Sequence, residues 1–199
     1  MFDRFPWRIL LGVGLILAGL FSLLDVLDIL NVGSLGWALL FIGGGAAFLY
    51  VMSVNRADNW WAVIPGFVLI GIGLTIGVDA IAPRLNDTLG GVFVLGSIGL
   101  AFWVVYMLNP TFWWAVIPAG VMTTLTLMVA AEPFLPSDDT AWIFFLGLAA
   151  TFGILSLLPV DGKRMSWPLW PAGAMAVLAV FLMFDAFDLA GIVVPLILI

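Results

Sequence analysis

Long apolar stretches separated by short polar segments run through all 199 residues of the chain. A helix that crosses a bilayer needs about 20 mainly apolar residues, and seven stretches approach or reach this length. They cover residues 8–24, 35–54, 60–78, 89–108, 113–131, 141–159 and 167–184. An eighth stretch, Leu189–Ile199, is too short to cross. The pattern predicts an all-α, polytopic membrane helix bundle with seven spans and a truncated eighth.

The hexapeptide W-W-A-V-I-P occurs at Trp60–Pro65 and again 53 residues later at Trp113–Pro118. A looser copy follows after another 53 residues, with Trp167 and Pro171 at the matching positions. Each period holds two apolar stretches, so the repeated unit is a helical hairpin. We therefore predict one transmembrane domain over residues 1–199, with repeat units 5–54, 58–108, 111–159 and 165–199.

Two helices per unit return the chain to the same side of the membrane, so all units share one orientation. Such parallel repeats are related by rotation about the membrane normal. By the repeat, the last unit is incomplete and its second helix would run past Ile199. We therefore expect the sequence to be a fragment whose continuation it does not reveal.

Composition places these helices in lipid. The chain is 64% hydrophobic and 9% charged, with a mean hydropathy of +1.25, whereas a soluble domain is roughly 45–50% apolar and about 25% charged. Cysteine and histidine are absent. Without them the chain lacks thiol nucleophiles, the commonest metal ligand and the side chain best suited to proton transfer near neutral pH. We expect no catalytic residues, no cofactor and no enzymatic activity.

Charge indicates an orientation. The N-terminus and the connections between units carry five of the six basic residues against three acidic ones, a net charge of 5 − 3 = +2. The connections within units carry one basic and nine acidic residues, a net charge of 1 − 9 = −8. Basic residues mark cytoplasmic loops, so we place the N-terminus in the cytoplasm and the acidic connections outside. The acidic pI of about 4.1 argues against a nucleic-acid partner.

Tryptophan and proline recur at the start of each unit. Tryptophan prefers the membrane–water boundary, so these residues are predicted interfacial anchors, rather than a binding site for a quinone or a cation. The anchors are Trp7, Trp60, Trp61, Trp113, Trp114, Trp167 and Trp170. A proline inside a helix bends it, which predicts bends at Pro65, Pro118 and Pro171. A broken helix of the transporter type is the alternative interpretation.

Acidic residues end the first helix of each unit. Two units carry D-x-x-D, as Asp25/Asp28 and Asp185/Asp188. This spacing places both carboxylates on one helix face, where they are weak candidates for binding a hard cation such as Ca²⁺. We prefer the interpretation that they mark the outer water boundary.

Small residues recur within the spans. Membrane helices associate through close backbone approach at small residues, which predicts packing seams at the glycines. The glycines concerned are Gly43, Gly73, Gly77, Gly96, Gly99 and Gly147.

One unit reads as a basic residue, a glycine-rich apolar run and Leu-Leu-Asp, then an aromatic residue and a second glycine-rich run. In the first unit this is R-I-L-L-G-V-G-L-I-L-A-G-L-F-S-L-L-D, followed by W-A-L-L-F-I-G-G-G from Trp37. This resembles the hairpin of the LiaI/LiaF-like transmembrane family of bacteria, best over residues 5–54, less over 58–108 and 111–159, and in part over 165–199. The resemblance implies a membrane anchor or a regulator of envelope-stress signalling in the plasma membrane of a bacterium, without catalytic residues. The soluble domain of the family's regulators has no counterpart here.

These observations favour a non-enzymatic scaffold, anchor or envelope-signalling accessory whose partners are the bilayer and other membrane proteins or further copies of the chain. The alternative is a small-solute transporter or channel subunit. Ionisable groups within a span usually serve function, and the middle third of each span has none. The residues left for a polar path are hydroxyl-bearing: Thr75, Ser97, Thr123, Thr124, Thr126 and Thr151.

Overall fold

The computed structural model describes residues 12, 16, 19–20, 22–23, 27, 33–134, 140–160 and 162–186, without the side chains of residues 86–88 and 185–186. Six long α-helices fill these ranges. They are α1 (Gly33–Val54), α2 (Val63–Ile81), α3 (Pro83–Leu108), α4 (Val116–Ala131), α5 (Ala141–Leu157) and α6 (Leu169–Ala186). Turns of 3-10 helix precede α2 and α4, at Trp60–Ala62 and Trp113–Ala115, and a third, Glu132–Phe134, follows α4.

In the ranges that the structure describes, four helical segments are long and apolar enough to cross a membrane, which is compatible with a helical membrane protein. They are Gly33–Val54, Trp60–Ile81, Leu89–Leu108 and Trp113–Phe134. The all-α class and these four predicted stretches are confirmed. The apolar helices Ala141–Leu157 and Leu169–Phe184 are shorter. The predicted stretch 8–24 lies mostly, and 189–199 wholly, outside the described residues, so the count of seven spans stays a prediction.

The helices form a row in which each one packs against the next along the chain, from α1 to α6. Neighbours are antiparallel: Gly45 of α1 faces Gly66 near the start of α2, while Ala38 faces Gly73 further along. Because direction alternates along the row, α2, α4 and α6 all begin at the same end of the molecule. We call this the tryptophan end.

The three helices that begin at the tryptophan end start at Val63, Val116 and Leu169, so consecutive starts are separated by one repeat period. Each carries its proline as the third residue, at Pro65, Pro118 and Pro171. A proline in the first turn removes no hydrogen bond of the α-helix itself. For the first two, the winding changes from 3-10 to α just before the proline. The bends at these prolines stay a prediction.

Two local features differ from the predicted layout. Helix α3 begins at Pro83, ahead of the predicted stretch, and Ala82 alone separates it from α2. Proline fits the first helical position because its φ is preset and its missing N–H would have no partner there. Between α5 and α6, strand β1 (Pro159–Val160) pairs antiparallel with β2 (Lys163–Arg164). The φ of +75° at Gly162 closes this hairpin, since glycine adopts positive φ without strain.

Candidate functional site at the tryptophan end

A ladder of indole rings joins one repeat unit to the next. Trp60 lies edge-on to Trp114, with ring centroids 6.3 Å apart and planes at 68°. Trp113 meets Trp167 at 6.3 Å and 67°. Both partners of the second pair lie one repeat period after those of the first, so one contact geometry is repeated. We call Trp60, Trp61, Trp113, Trp114 and Trp167 the tryptophan ladder.

A phenylalanine on the preceding helix packs against each of Trp61, Trp114 and Trp167, which follow one another at a spacing of 53 residues. The ring pairs are Phe48–Trp61 at 6.2 Å and 79°, Phe102–Trp114 at 6.3 Å and 76°, and Phe152–Trp167 at 6.3 Å and 72°. These separations and angles suit edge-to-face aromatic contacts. Within the described residues, the connections that lead into α2, α4 and α6 therefore make the same kind of aromatic contact with the helix before them.

The ladder rests on a well-packed layer. Val63, Ala101, Val105 and Ala115 are fully buried, and Trp60 and Phe112 pack against them. The centroids of these two rings are 4.8 Å apart. The ladder is therefore continuous with the interior of the bundle.

The predicted anchors differ in exposure. Trp60, Trp61 and Trp113 are half-buried, Trp114 and Trp167 are 38% and 45% exposed, and Trp170 is 84% exposed and stands outside the ladder. Trp7 lies outside the described residues. All the described anchors lie at one end of the bundle, and five of the six also hold units together.

Two open grooves lie at this end between consecutive connections. Groove A, of about 480 Å³, is lined by Arg56, Ala57, Trp60, Met107, Leu108, Asn109 and Phe112. Groove B, of about 320 Å³, is lined by Pro110, Thr111, Trp113, Pro159 and Val160. Three lining positions of groove B lie one repeat period after lining positions of groove A. These pairs are Ala57/Pro110, Trp60/Trp113 and Met107/Val160, so the two grooves lie at matching positions of the sequence.

Asparagines shape the connections above the grooves. Asn55 Nδ2 donates to Asp58 Oδ2 at 2.7 Å, and Asn59 Nδ2 donates to the Val51 carbonyl at the end of α1 at 3.0 Å. In the next connection Asn109 Oδ1 accepts from both the backbone N–H and the hydroxyl of Thr111, at 3.1 and 2.7 Å. These side-chain bonds replace backbone partners that a loop lacks, and they give each connection a defined shape.

The two ends of the bundle differ in charge. Among the charged side chains that the structure describes, Arg56, Asp58, Lys163 and Arg164 lie at the tryptophan end. Asp79, Arg84 and Glu132 lie at the opposite end. Asp79 and Glu132 are exposed, as expected for acids at a water boundary.

The metal candidates stay a prediction, because their side chains lie outside the part of the chain that the structure describes. Asp25, Asp28 and Asp188 lie outside the described residues, and the side chain of Asp185 does too. No group of three or more potential metal ligands occurs in the part of the chain that the structure describes.

Glycines mark where helices touch most closely. A Cβ on Gly73 would lie 2.8 Å from the Ala38 carbonyl oxygen, and one on Gly99 would lie 3.3 Å from the Thr123 nitrogen. Gly96 and Gly77 make looser contacts, at 3.4 Å and 3.5 Å. Gly43 has nothing within 4 Å, and the close approach of α1 falls further on, at Gly45.

The seam between α4 and α5 is a reciprocal interlock of two G-x-x-x-T sequences. A Cβ on Gly120 would lie 2.8 Å from Thr151 Cβ, and one on Gly147 would lie 2.7 Å from Thr124 Cβ. Each threonine therefore fills the space that the opposite glycine leaves. Both are 4% exposed.

The hydroxyl groups within the helices bond to their own backbone. Thr75, Thr123, Thr124, Thr126 and Thr151 each donate to the carbonyl four residues before, at 2.7–3.0 Å, and Ser97 donates to the Val94 carbonyl at 2.8 Å. Two of them also make a polar contact with a neighbouring helix: Thr75 Oγ1 lies 3.2 Å from the Gly90 carbonyl, and Thr123 Oγ1 accepts from Trp103 Nε1 at 3.0 Å. This pattern is common for hydroxyls in membrane helices, and it gives each of these six hydroxyl donors a backbone carbonyl as its acceptor.

The chain matches no protein-family model, no curated protein and no solved structure. The structure adds residues that the sequence analysis did not single out, namely the supporting phenylalanines Phe48, Phe102 and Phe152. Their spacing departs from the repeat period, so a search at a fixed period misses them. The β-hairpin had a signal in the dipeptide Asp161-Gly162, which is typical of a tight hairpin turn.

Proposed function

We propose that the chain is a non-enzymatic integral protein of a bacterial plasma membrane, serving as a scaffold, an anchor or an envelope-signalling accessory. In this proposal four parallel hairpin units supply seven spans and part of an eighth, with the N-terminus in the cytoplasm. The protein acts through helix packing and through contacts with partners, which are other membrane proteins or further copies of the chain.

One observation carries the proposal: each of the six hydroxyls available for a polar path donates to a carbonyl of its own helix. A conduction pathway needs polar groups that face water and exchange partners with the solute. Here Thr124 and Thr151 are buried in a helix seam instead. These hydroxyl groups are thus already hydrogen-bonded within their own helices rather than exposed to a solute.

The parallel-repeat arrangement draws support from the helix starts at Val63, Val116 and Leu169 and from the two matched indole contacts. The orientation draws support from Arg56, Lys163 and Arg164, which all lie at the tryptophan end, since basic residues favour the cytoplasmic side. The resemblance of the unit to the LiaI/LiaF-like hairpin fits a role in envelope signalling. On the basis of this resemblance we propose that the chain is related to that family.

A flux assay separates the scaffold from a transporter. We expect liposomes that contain the purified protein to be as tight to K⁺, Na⁺, Cl⁻ and glycerol as protein-free liposomes. Flux of any of these that Thr124→Val abolishes would contradict the proposal, because this variant keeps the side-chain shape and removes only the hydroxyl.

Photo-crosslinking in cells tests the scaffold directly. A photoreactive residue in place of Ser166, which is exposed at the tryptophan end and lines neither groove, should give a discrete protein adduct. The same residue in place of Leu39, on the 70% exposed outer face of α1, is the matched control and should give lipid adducts. No protein adduct from Ser166, or equal protein adducts from both positions, would count against partner binding at this end.

A further inference from the structure

We propose that grooves A and B each bind the headgroup of an anionic phospholipid of the cytoplasmic leaflet. The lipid phosphate lies at Arg56 in groove A and at Lys163 and Arg164 beside groove B. The glycerol backbone and the upper acyl carbons lie along the indole and the apolar wall. This inference rests on the proposed membrane placement and names lipid as a specific partner of the tryptophan end.

The lining of groove A is amphiphilic in the way a phospholipid is. Arg56 contributes a guanidinium and Asn109 an amide, while Trp60, Phe112 and Leu108 supply aromatic and aliphatic surface. A guanidinium pairs with phosphate through two parallel hydrogen bonds, and indole rings favour the boundary between headgroups and hydrocarbon. The groove volumes lie at the lower end of the range for small-molecule sites, about 300–1,000 Å³.

Arg56 is available to a ligand. It is exposed, and among the described residues it makes no hydrogen bond or ion pair. The nearby Asp58 carboxylate is bonded to the Asn55 amide instead. The Arg56 guanidinium at the mouth of groove A is therefore available to bind an anion from outside the protein.

Groove B obtains its cations from the β-hairpin. Val160 lines the groove and pairs with Lys163, while Pro159 lines it and pairs with Arg164. The register thus places two exposed cationic residues next to two residues that line the groove, and since consecutive strand residues point to opposite faces, the two cations approach the groove from different faces of the hairpin. Basic side chains at the cytoplasmic surface attract anionic lipids by about 1 kcal/mol each, which corresponds to about fivefold in affinity.

Native mass spectrometry of the full chain tests the proposal. The protein is released from a neutral detergent after titration with phosphatidylglycerol or with phosphatidylcholine of the same acyl chains. We expect the protein to retain phosphatidylglycerol in preference to phosphatidylcholine, with up to two lipids bound tightly. Equal retention of the two lipids, or binding of free glycerol phosphate as tight as that of the lipid, would overturn the proposal.

Variants locate the two sites. Arg56→Gln should weaken one of the two bound lipids about fivefold, and Lys163→Gln with Arg164→Gln should weaken the other by more. Arg84→Gln removes a cation at the opposite end and is the matched control, which should leave retention unchanged. Equal loss with Arg84→Gln, or no loss with either tryptophan-end variant, would contradict the proposal.

All these positions are exposed, and unchanged melting temperatures would confirm that the variants fold. Binding in detergent does not depend on which way the bundle faces. A wrong orientation and a failure of lipid binding therefore give separate results.

Discussion

Single hydrogen bonds and single methyl groups decide how the helices of this bundle meet. In the α4·α5 interlock, Thr124 and Thr151 are buried against Gly147 and Gly120, and no room is left for a Cβ at either glycine. In lipid no hydrophobic effect drives helices together, so such close contacts supply the association energy. Changes of one carbon at these positions are therefore measurable.

Gly147→Ala should destabilise the bundle by about 1–3 kcal/mol because its Cβ would press on Thr124 and force the seam apart. Gly153→Ala in the same helix is the matched control. Its Cβ would meet nothing within 4 Å, and alanine is about 1 kcal/mol better than glycine in a helix. Unfolding free energies in mixed micelles should fall for the first variant and hold or rise for the second. Equal changes would refute the interlock.

The bond from Trp103 Nε1 to Thr123 Oγ1, 3.0 Å long, links α3 to α4. Interhelical hydrogen bonds in membranes are worth about 0.6 kcal/mol. A double-mutant cycle of Trp103→Phe and Thr123→Val should give a coupling energy of about this size. A coupling of zero would mean that the bond adds nothing to stability.

At the scale of the helices and turns, the tryptophan ladder packs the connections that lead into α2, α4 and α6 against one another and against the preceding helices. Trp114 touches Trp60, Phe102 and Phe112. Trp167 touches two rings, of Trp113 and Phe152. The stability of these neighbouring helices is therefore coupled at the tryptophan end.

Trp114→Ala should lower the unfolding free energy by about 2–3 kcal/mol and Trp167→Ala by somewhat less, since each aromatic pair contributes about 0.5–1.5 kcal/mol. Trp170→Ala, at an 84% exposed position, should have almost no effect. Near-ultraviolet circular dichroism should lose intensity in the same order. Three equal effects would show that these tryptophans act only as boundary residues.

The positions of the helices were predictable because a span must be apolar over its whole length, and this leaves a signal in one sequence. The predicted stretches 35–54, 60–78, 89–108 and 113–131 all lie within the observed segments. The contacts of the ladder were not predictable in the same way. The repeat period shows that Trp60 and Trp113 are equivalent, but it does not tell which ring each one touches in the next unit.

The sequence also does not tell which glycine of a consecutive run packs against the neighbouring helix. Gly43, Gly44 and Gly45 are consecutive, and they differ only in the side of α1 on which they lie. Because α1 is apolar all round, no amphipathic pattern marks its packing side. The structure resolves this in favour of Gly45, which faces Gly66.

On the scale of the whole molecule, the row of antiparallel helices has two chemically different ends. Among the described side chains, the tryptophan end carries the aromatic ladder, both grooves and three basic residues against one acidic residue, whereas the opposite end carries Asp79 and Glu132 against Arg84. The proposals for partner contacts and for lipid binding both concern the first end. Both proposals depend on α2, α4 and α6 starting on the same side of a membrane.

Cysteine labelling measures most directly on which side of the membrane these helices start, because the chain has no cysteine of its own. Single cysteines at Thr111 and Ser166 probe the tryptophan end, and one at Glu132 probes the other, without removing any basic residue. A membrane-impermeant maleimide applied to intact cells should label Glu132→Cys alone, and Thr111→Cys and Ser166→Cys only after permeabilisation. Labelling of Thr111→Cys and Ser166→Cys from opposite sides, or of all three from one side, would contradict the parallel-hairpin account.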